Sequence, residues 1–149
     1  MTPEPVQPAD LLITPDDPFD LLEGFDPAWP YRSLSLCDPR MYLVRLFRTQ
    51  TQDRAEAAAL ELGQRLAEGR YKGLIFDYRG AEIGHDPETF PAVADAFASA
   101  FPRGLLMVYL HDRESFVFAR LMVQLLRDRR VKAARTTRFE AAWQAIART

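Results

Sequence analysis

Apolar residues along this chain recur in two patterns, short unbroken runs and longer stretches in which they return every three to four positions. Gly73-Leu74-Ile75-Phe76 and Leu105 to Leu110 (LLMVYL) are unbroken runs, the pattern of strands covered on both faces. Ala55, Ala59, Leu62 and Leu66 have helical spacing, so a helix is predicted from a cap at Thr49 or Thr51 to about Glu68, with Gly69 marking its end. Phe90, Val93, Ala94, Phe97 and Phe101 share one face of a second helix. Asp86 is its candidate cap and Pro87 its first residue, although Pro91 lacks a helix donor, so regular helix is expected only from near Thr89. Phe118, Leu121, Met122 and Leu125 give a third helix its inner face. Val131 to Ala134 reads as a short strand. Thr137-Arg138-Phe139-Glu140 has capping-box spacing and opens a last helix that buries Phe139, Trp143 and Ile146.

Upstream, Tyr31 to Leu36 and Met41 to Arg48 read as two strands joined by the turn Cys37-Asp38-Pro39-Arg40, an N-terminal hairpin. The predicted order is β-β-α-β-α-β-α-β-α. Such alternation implies an α/β layered domain over residues 31–149, with a mixed, mostly parallel sheet and four helices.

Composition changes the picture mainly at the ends. The first 30 residues hold seven of the eleven prolines, a density that blocks helix interiors and sheet ladders, so 1–30 reads as an arm. The arm also carries Phe19, Phe25 and Trp29 among its apolar residues, which disordered tails lack, and these are its expected anchors. It has seven acids and no base, whereas Arg120 to Thr149 has eight bases and two acids. The two ends are therefore complementary. In cis or between subunits of a homodimer, the arm is expected to lie over the basic C-terminal surface.

A net charge of −2 argues against a chain whose whole surface attracts nucleic acid, and aromatic residues for base stacking are absent between Arg127 and Arg138. The longest purely apolar run is far short of the roughly 20 residues that cross a bilayer, so no membrane insertion is expected. No basic residue precedes the first apolar pair, so the start lacks the charged segment of a secretory signal, and a cytoplasmic location is expected. One cysteine excludes an internal disulfide, and two isolated histidines without a CxxC pattern give no structural metal site. No cofactor is implied.

Two stretches carry a resemblance: Leu74-Ile75-Phe76-Asp77-Tyr78-Arg79-Gly80-Ala81-Glu82-Ile83, and Arg138-Phe139-Glu140-Ala141-Ala142-Trp143-Gln144-Ala145-Ile146. With the element order, they resemble the STAS family (sulfate transporter and anti-sigma factor antagonist domain), in particular its stand-alone bacterial SpoIIAA-like members. The first is similar to that family's central strand and the turn into its switch loop, the second to its closing helix. The resemblance implies a non-catalytic regulatory or protein-interaction module, switched in some members by phosphorylation of a serine at the start of the helix after that strand. Here His85 and Asp86 stand where the family carries its Asp-Ser pair, so the hydroxyl is missing. Asp86 is then either a plain helix cap or a fixed negative charge in place of the phosphate.

Asp77, Arg79, Gly84, His85, Asp86, Thr89, His111 and Asp112 fall at or just after the ends of the two clearest strands, where α/β sheets gather their ligands. These are the candidate binding and switch-loop residues, with Arg113 and Ser115 beside them. A histidine, acids and a hydroxyl are also the ingredients of a base, its orienting partner and a nucleophile, so a hydrolase or transferase is one alternative. No nucleophile elbow, P-loop or dinucleotide fingerprint frames them. A small-molecule or lipid carrier is the other alternative, because the architecture also resembles the lipid-binding Sec14 fold.

Overall fold

A computed structural model describes residues 11–12, 31–37, 40–46 and 49–149. The arm anchors Phe19, Phe25 and Trp29, the turn residues Asp38 and Pro39, and most of the 1–30 arm lie outside the described residues. In chain order the elements are β1 (Leu11–Leu12), β2 (Tyr31–Cys37), β3 (Met41–Leu46), β4 (Thr49–Gln50), α1 (Gln52–Gly69), β5 (Gly73–Asp77) and β6 (Glu82–Ile83). A single 3-10 turn, Pro87–Thr89, precedes α2 (Phe90–Ala100), β7 (Leu106–Leu110), α3 (Phe116–Asp128), β8 (Lys132–Thr136) and α4 (Phe139–Ala147).

The main sheet runs β1-β2-β3-β5-β7-β8. β2 and β3 form the expected antiparallel hairpin, and β3, β5, β7 and β8 are mutually parallel. The α/β layered fold with a mostly parallel sheet and four helices is thus as the sequence predicts. Three two-residue strands add to it. β1 pairs parallel to β2 through Leu11 with Leu36 and Leu12 with Cys37, so the proline-rich arm does contribute to the ladder, against expectation. It does so between prolines, at a site with none. β4 and β6 form a separate parallel pair.

Side chains alternate across the strands and split the core in two. On one face Tyr42, Val44, Leu74, Phe76, Met107 and Tyr109 pack with the inner residues of α1, α2 and α3. On the other, Met41, Leu43, Ile75, Val108 and Leu110 meet Phe139, Ala142 and Ile146 of α4. Parallel strands that follow one another in sequence order place successive crossover helices on the same side when every crossover has the same hand. Only the last helix is free to close the opposite face.

Several local expectations shift by a residue. α1 starts at the Thr51 cap, whose hydroxyl accepts from the Arg54 amide at 3.2 Å. It continues through Gly69, and Arg70 takes the left-handed conformation (φ 54°) in place of the glycine. The inner face of α3 is Phe118, Ala119, Met122, Val123 and Leu126, with Leu121 and Leu125 only partly buried. The capping box at Thr137 does not form: Arg138 is the cap residue of α4, with no side-chain cap bond. The Arg138 amide instead donates to the Thr136 hydroxyl at 3.3 Å, so the chain enters the helix one residue later than the spacing suggests. Trp143 is half-buried and Ala142 takes its expected place in the core.

Between the hairpin and α1 lies a buried polar network that the sequence does not announce. The Tyr42 and Ser33 hydroxyls are 2.7 Å apart, Arg65 donates to the Tyr42 hydroxyl at 3.2 Å, and the Ser35 and Tyr71 hydroxyls are 2.6 Å apart. Burial pushes the Tyr42 hydroxyl pKa up to about 12, so it stays protonated and available as a donor.

Candidate functional site

The carboxyl ends of β5 and β7 are adjacent because those strands pair in register, Asp77 against Leu110. Asp77, Arg79, His111 and Asp112 are therefore brought to one edge of the sheet. Asp77 is 1% exposed and would be an isolated buried charge without a partner. Arg79 supplies one: its Nε and Nη2 donate to the two carboxylate oxygens at 2.9 Å each, and its own amide donates to Oδ1 at 3.0 Å. The pair closes the turn that leaves β5.

Gly80 follows with φ +83°, a conformation that side-chain-bearing residues rarely adopt. Its amide then reaches across to the β7 loop and donates to Asp112 Oδ2 at 2.8 Å. The other oxygen of Asp112 accepts from the Ser115 amide at 3.0 Å and the Ser115 hydroxyl at 2.8 Å. Burial pushes the Asp112 carboxyl upward, but these hydrogen bonds to its charged form outweigh burial and hold it below the ordinary carboxylate range. Asp112 thus ties the two loops together and starts the turn into α3.

The second half of the switch-loop stretch is anchored elsewhere. β6 pairs with β4, and the Gly84 amide donates to the Gln50 carbonyl at 2.7 Å. A Cβ at Gly84 would collide with Thr49 and sit 3.2 Å from that carbonyl, so only glycine lets the strands approach this closely. His85 Nδ1 lies 2.6 Å from the Thr89 hydroxyl, which donates to the Asp86 carbonyl at 2.7 Å. The His85 ring meets Phe90 and Phe118 at 5.0 and 6.2 Å. Burial lowers its pKa from 6.5, and the neighbouring Asp86 charge partly restores it.

Asp86 holds the cap position of the 3-10 turn Pro87–Thr89, and its carbonyl accepts from the Thr89 amide at 2.9 Å. Its side chain is exposed and makes no cap hydrogen bond, so the carboxylate does not do the capping that its position predicts.

His111 is 2% exposed, with Nδ1 3.1 Å from the Asp112 carbonyl and Nε2 buried without a partner. It lines an open cleft of about 430 Å³ together with Arg79, Asp112, Arg113, Phe116 and Thr137. Phe116 and Val117 on the first turn of α3 are 36% and 61% exposed, and the Arg135 guanidinium sits 5.0 Å over the Phe116 ring. Sequence reasoning missed this apolar pair. The signal was there: in Phe116-Val117-Phe118, helical geometry turns only one of three consecutive residues toward the core.

The structure therefore joins Asp77, Arg79 and Asp112 through the two turns, and places His111 in the cleft beside them. It sets His85, Asp86 and Thr89 in a separate cluster on the neighbouring loop. Ser115 gives its hydroxyl hydrogen to Asp112, and His111 Nδ1 lies against the Asp112 backbone carbonyl. Among the described residues no three His, Cys, Asp or Glu side chains are grouped to hold a metal ion, and no helix is long and apolar enough to cross a membrane. Compared with protein-family models, curated proteins and solved structures, the chain matches none.

Proposed function

We propose that this chain is a regulatory protein-docking domain of STAS-like type that meets its partner at the carboxyl edge of its parallel sheet. The observation that carries the reading is the exposed Phe116-Val117 pair beside the cleft of His111, Arg79 and Arg113. Adjacent apolar side chains left in water on a helix start, next to a concave surface, gain free energy when a partner covers them. The cations around them favour a partner that combines apolar and acidic residues.

The carboxylates at this edge support docking over catalysis. Asp77 is committed to Arg79 and Asp112 to Gly80 and Ser115, so both hold loops in place. The Asp86 carboxylate, exposed and making no cap hydrogen bond, presents a negative charge on the loop joined to that surface, where switching STAS members carry a phosphoserine.

The test is affinity capture from source cells with the full chain and three variants. Val117→Asp is expected to lose a stoichiometric protein partner, and Asp86→Ser is expected to weaken it. Leu60→Asp, at a still more exposed apolar site on α1, is the control and should retain it. Equal capture by all variants removes this surface from consideration. Binding unchanged in both Asp86→Ser and Asp86→Ala removes the phosphate-mimic role.

A further inference from the structure

The opposite edge of the sheet, where β7 and β8 begin, holds a cavity of about 180 Å³ lined by Arg103, Arg129, Arg130 and Lys132, with no acid among its lining residues. Arg129 is anchored, donating to Asp95 at 2.5 Å and to the Leu125 carbonyl at 2.9 Å. Arg103, Arg130 and Lys132 are exposed, and among the described residues their side chains have no hydrogen-bond or ion-pair partner. One or two cations at a helix C-terminus are an ordinary complement to its dipole. Four around one cavity, three of them unpaired, exceed that need and repel one another.

The backbone fixes one of these cations where α3 ends, as it does Arg70 at the end of α1. Arg130 occupies the left-handed position that ends α3, with φ +63°, and Val131 donates to the Leu126 carbonyl at 3.0 Å across it. Glycine usually fills such a position, and a side chain there is conformationally costly. Here the residue that bears the cost is one of the cations lining the cavity.

We propose that this cavity binds a phosphoryl-sized anion, held by Arg103, Arg130 and Lys132 around the anchored Arg129. Several guanidinium donors and an ammonium match a multiply charged oxyanion better than a carboxylate, because each can make a charge-assisted hydrogen bond to a different oxygen. The volume, below the roughly 300 Å³ at which ordinary small-molecule pockets begin, accommodates a phosphate group and leaves the bulk of any larger molecule outside.

The site stands apart from the docking edge, and its test is independent of that reading. The full chain is titrated calorimetrically at fixed ionic strength with inorganic phosphate, glycerol phosphate and, as a monovalent control, chloride. Saturable one-to-one binding of phosphate or glycerol phosphate, and none of chloride, is expected. Arg130→Gly keeps the left-handed helix end and removes only the cation, and with Lys132→Ala it should weaken binding about tenfold or more, whereas Arg113→Ala at the other edge should leave it unchanged. Tighter glycerol phosphate assigns the site to a phosphorylated small molecule, and tighter inorganic phosphate to the free ion. Absence of saturation at about 20 mM, a range that covers millimolar affinity, overturns the proposal. So does equal binding by the double variant.

Discussion

Arg79 neutralises a carboxylate that is 1% exposed, and its removal leaves that charge with little beyond one backbone amide. Arg79→Ala is therefore expected to cost roughly 3 kcal/mol in denaturant unfolding, and Asp77→Asn in the same chain to recover part of the loss. Asp112 contributes to the acid side of the stability profile. Its folded-state pKa is depressed below the ordinary 3.8, so the stability it contributes is full above that value and is lost as pH falls from there through the folded-state pKa. Asp112→Asn should flatten that loss in acid unfolding curves and cost about 1 kcal/mol at neutral pH. His85 has the same sign: burial favours its neutral form, so its contribution is present above 6.5 and declines below. Its NMR titration midpoint should lie under 6.5, and Asp86→Asn should lower it further by removing the charge that supports protonation. The sequence located these side chains at strand ends. It did not disclose that Asp77 and Asp112 serve different loops, because that depends on Gly80 reaching across to a residue 32 positions away.

Helix boundaries were legible to within a few residues, and their caps only in part. Thr51 caps as its spacing predicts, and Thr51→Ala should cost about 1 kcal/mol. Asp86→Ala and Thr137→Ala should each stay within about 0.5 kcal/mol, since neither side chain caps a helix. Any two residue types at the right offset satisfy a capping motif on paper, whereas the hydrogen bond requires the chain to enter the helix at that residue. Gly84→Ala should cost about 1–3 kcal/mol, because the β4-β6 pair has no space for a methyl group. That pair was invisible beforehand: two residues on each side carry no periodicity.

At the scale of the molecule, three helices share one face of the sheet and α4 covers the other with Phe139, Ala142 and Ile146. Phe139→Ala is expected to cost about 3–5 kcal/mol, a larger loss than any single cap, because it opens a cavity beneath a helix of only nine residues. By itself the sequence determined the α/β class, the order of the longer strands and helices and the hairpin, since hydrophobic period and turn residues act over neighbouring positions. Only the tertiary structure decided which strands became neighbours, which face each helix covered, and how the polar residues were divided. Two features show the difference: the paired strand ends that join Asp77, Arg79 and Asp112, and the basic cavity gathered from Arg103 and from Arg129 to Lys132. Both bring together residues whose separation along the chain hides their proximity, and that proximity is set by packing and strand register.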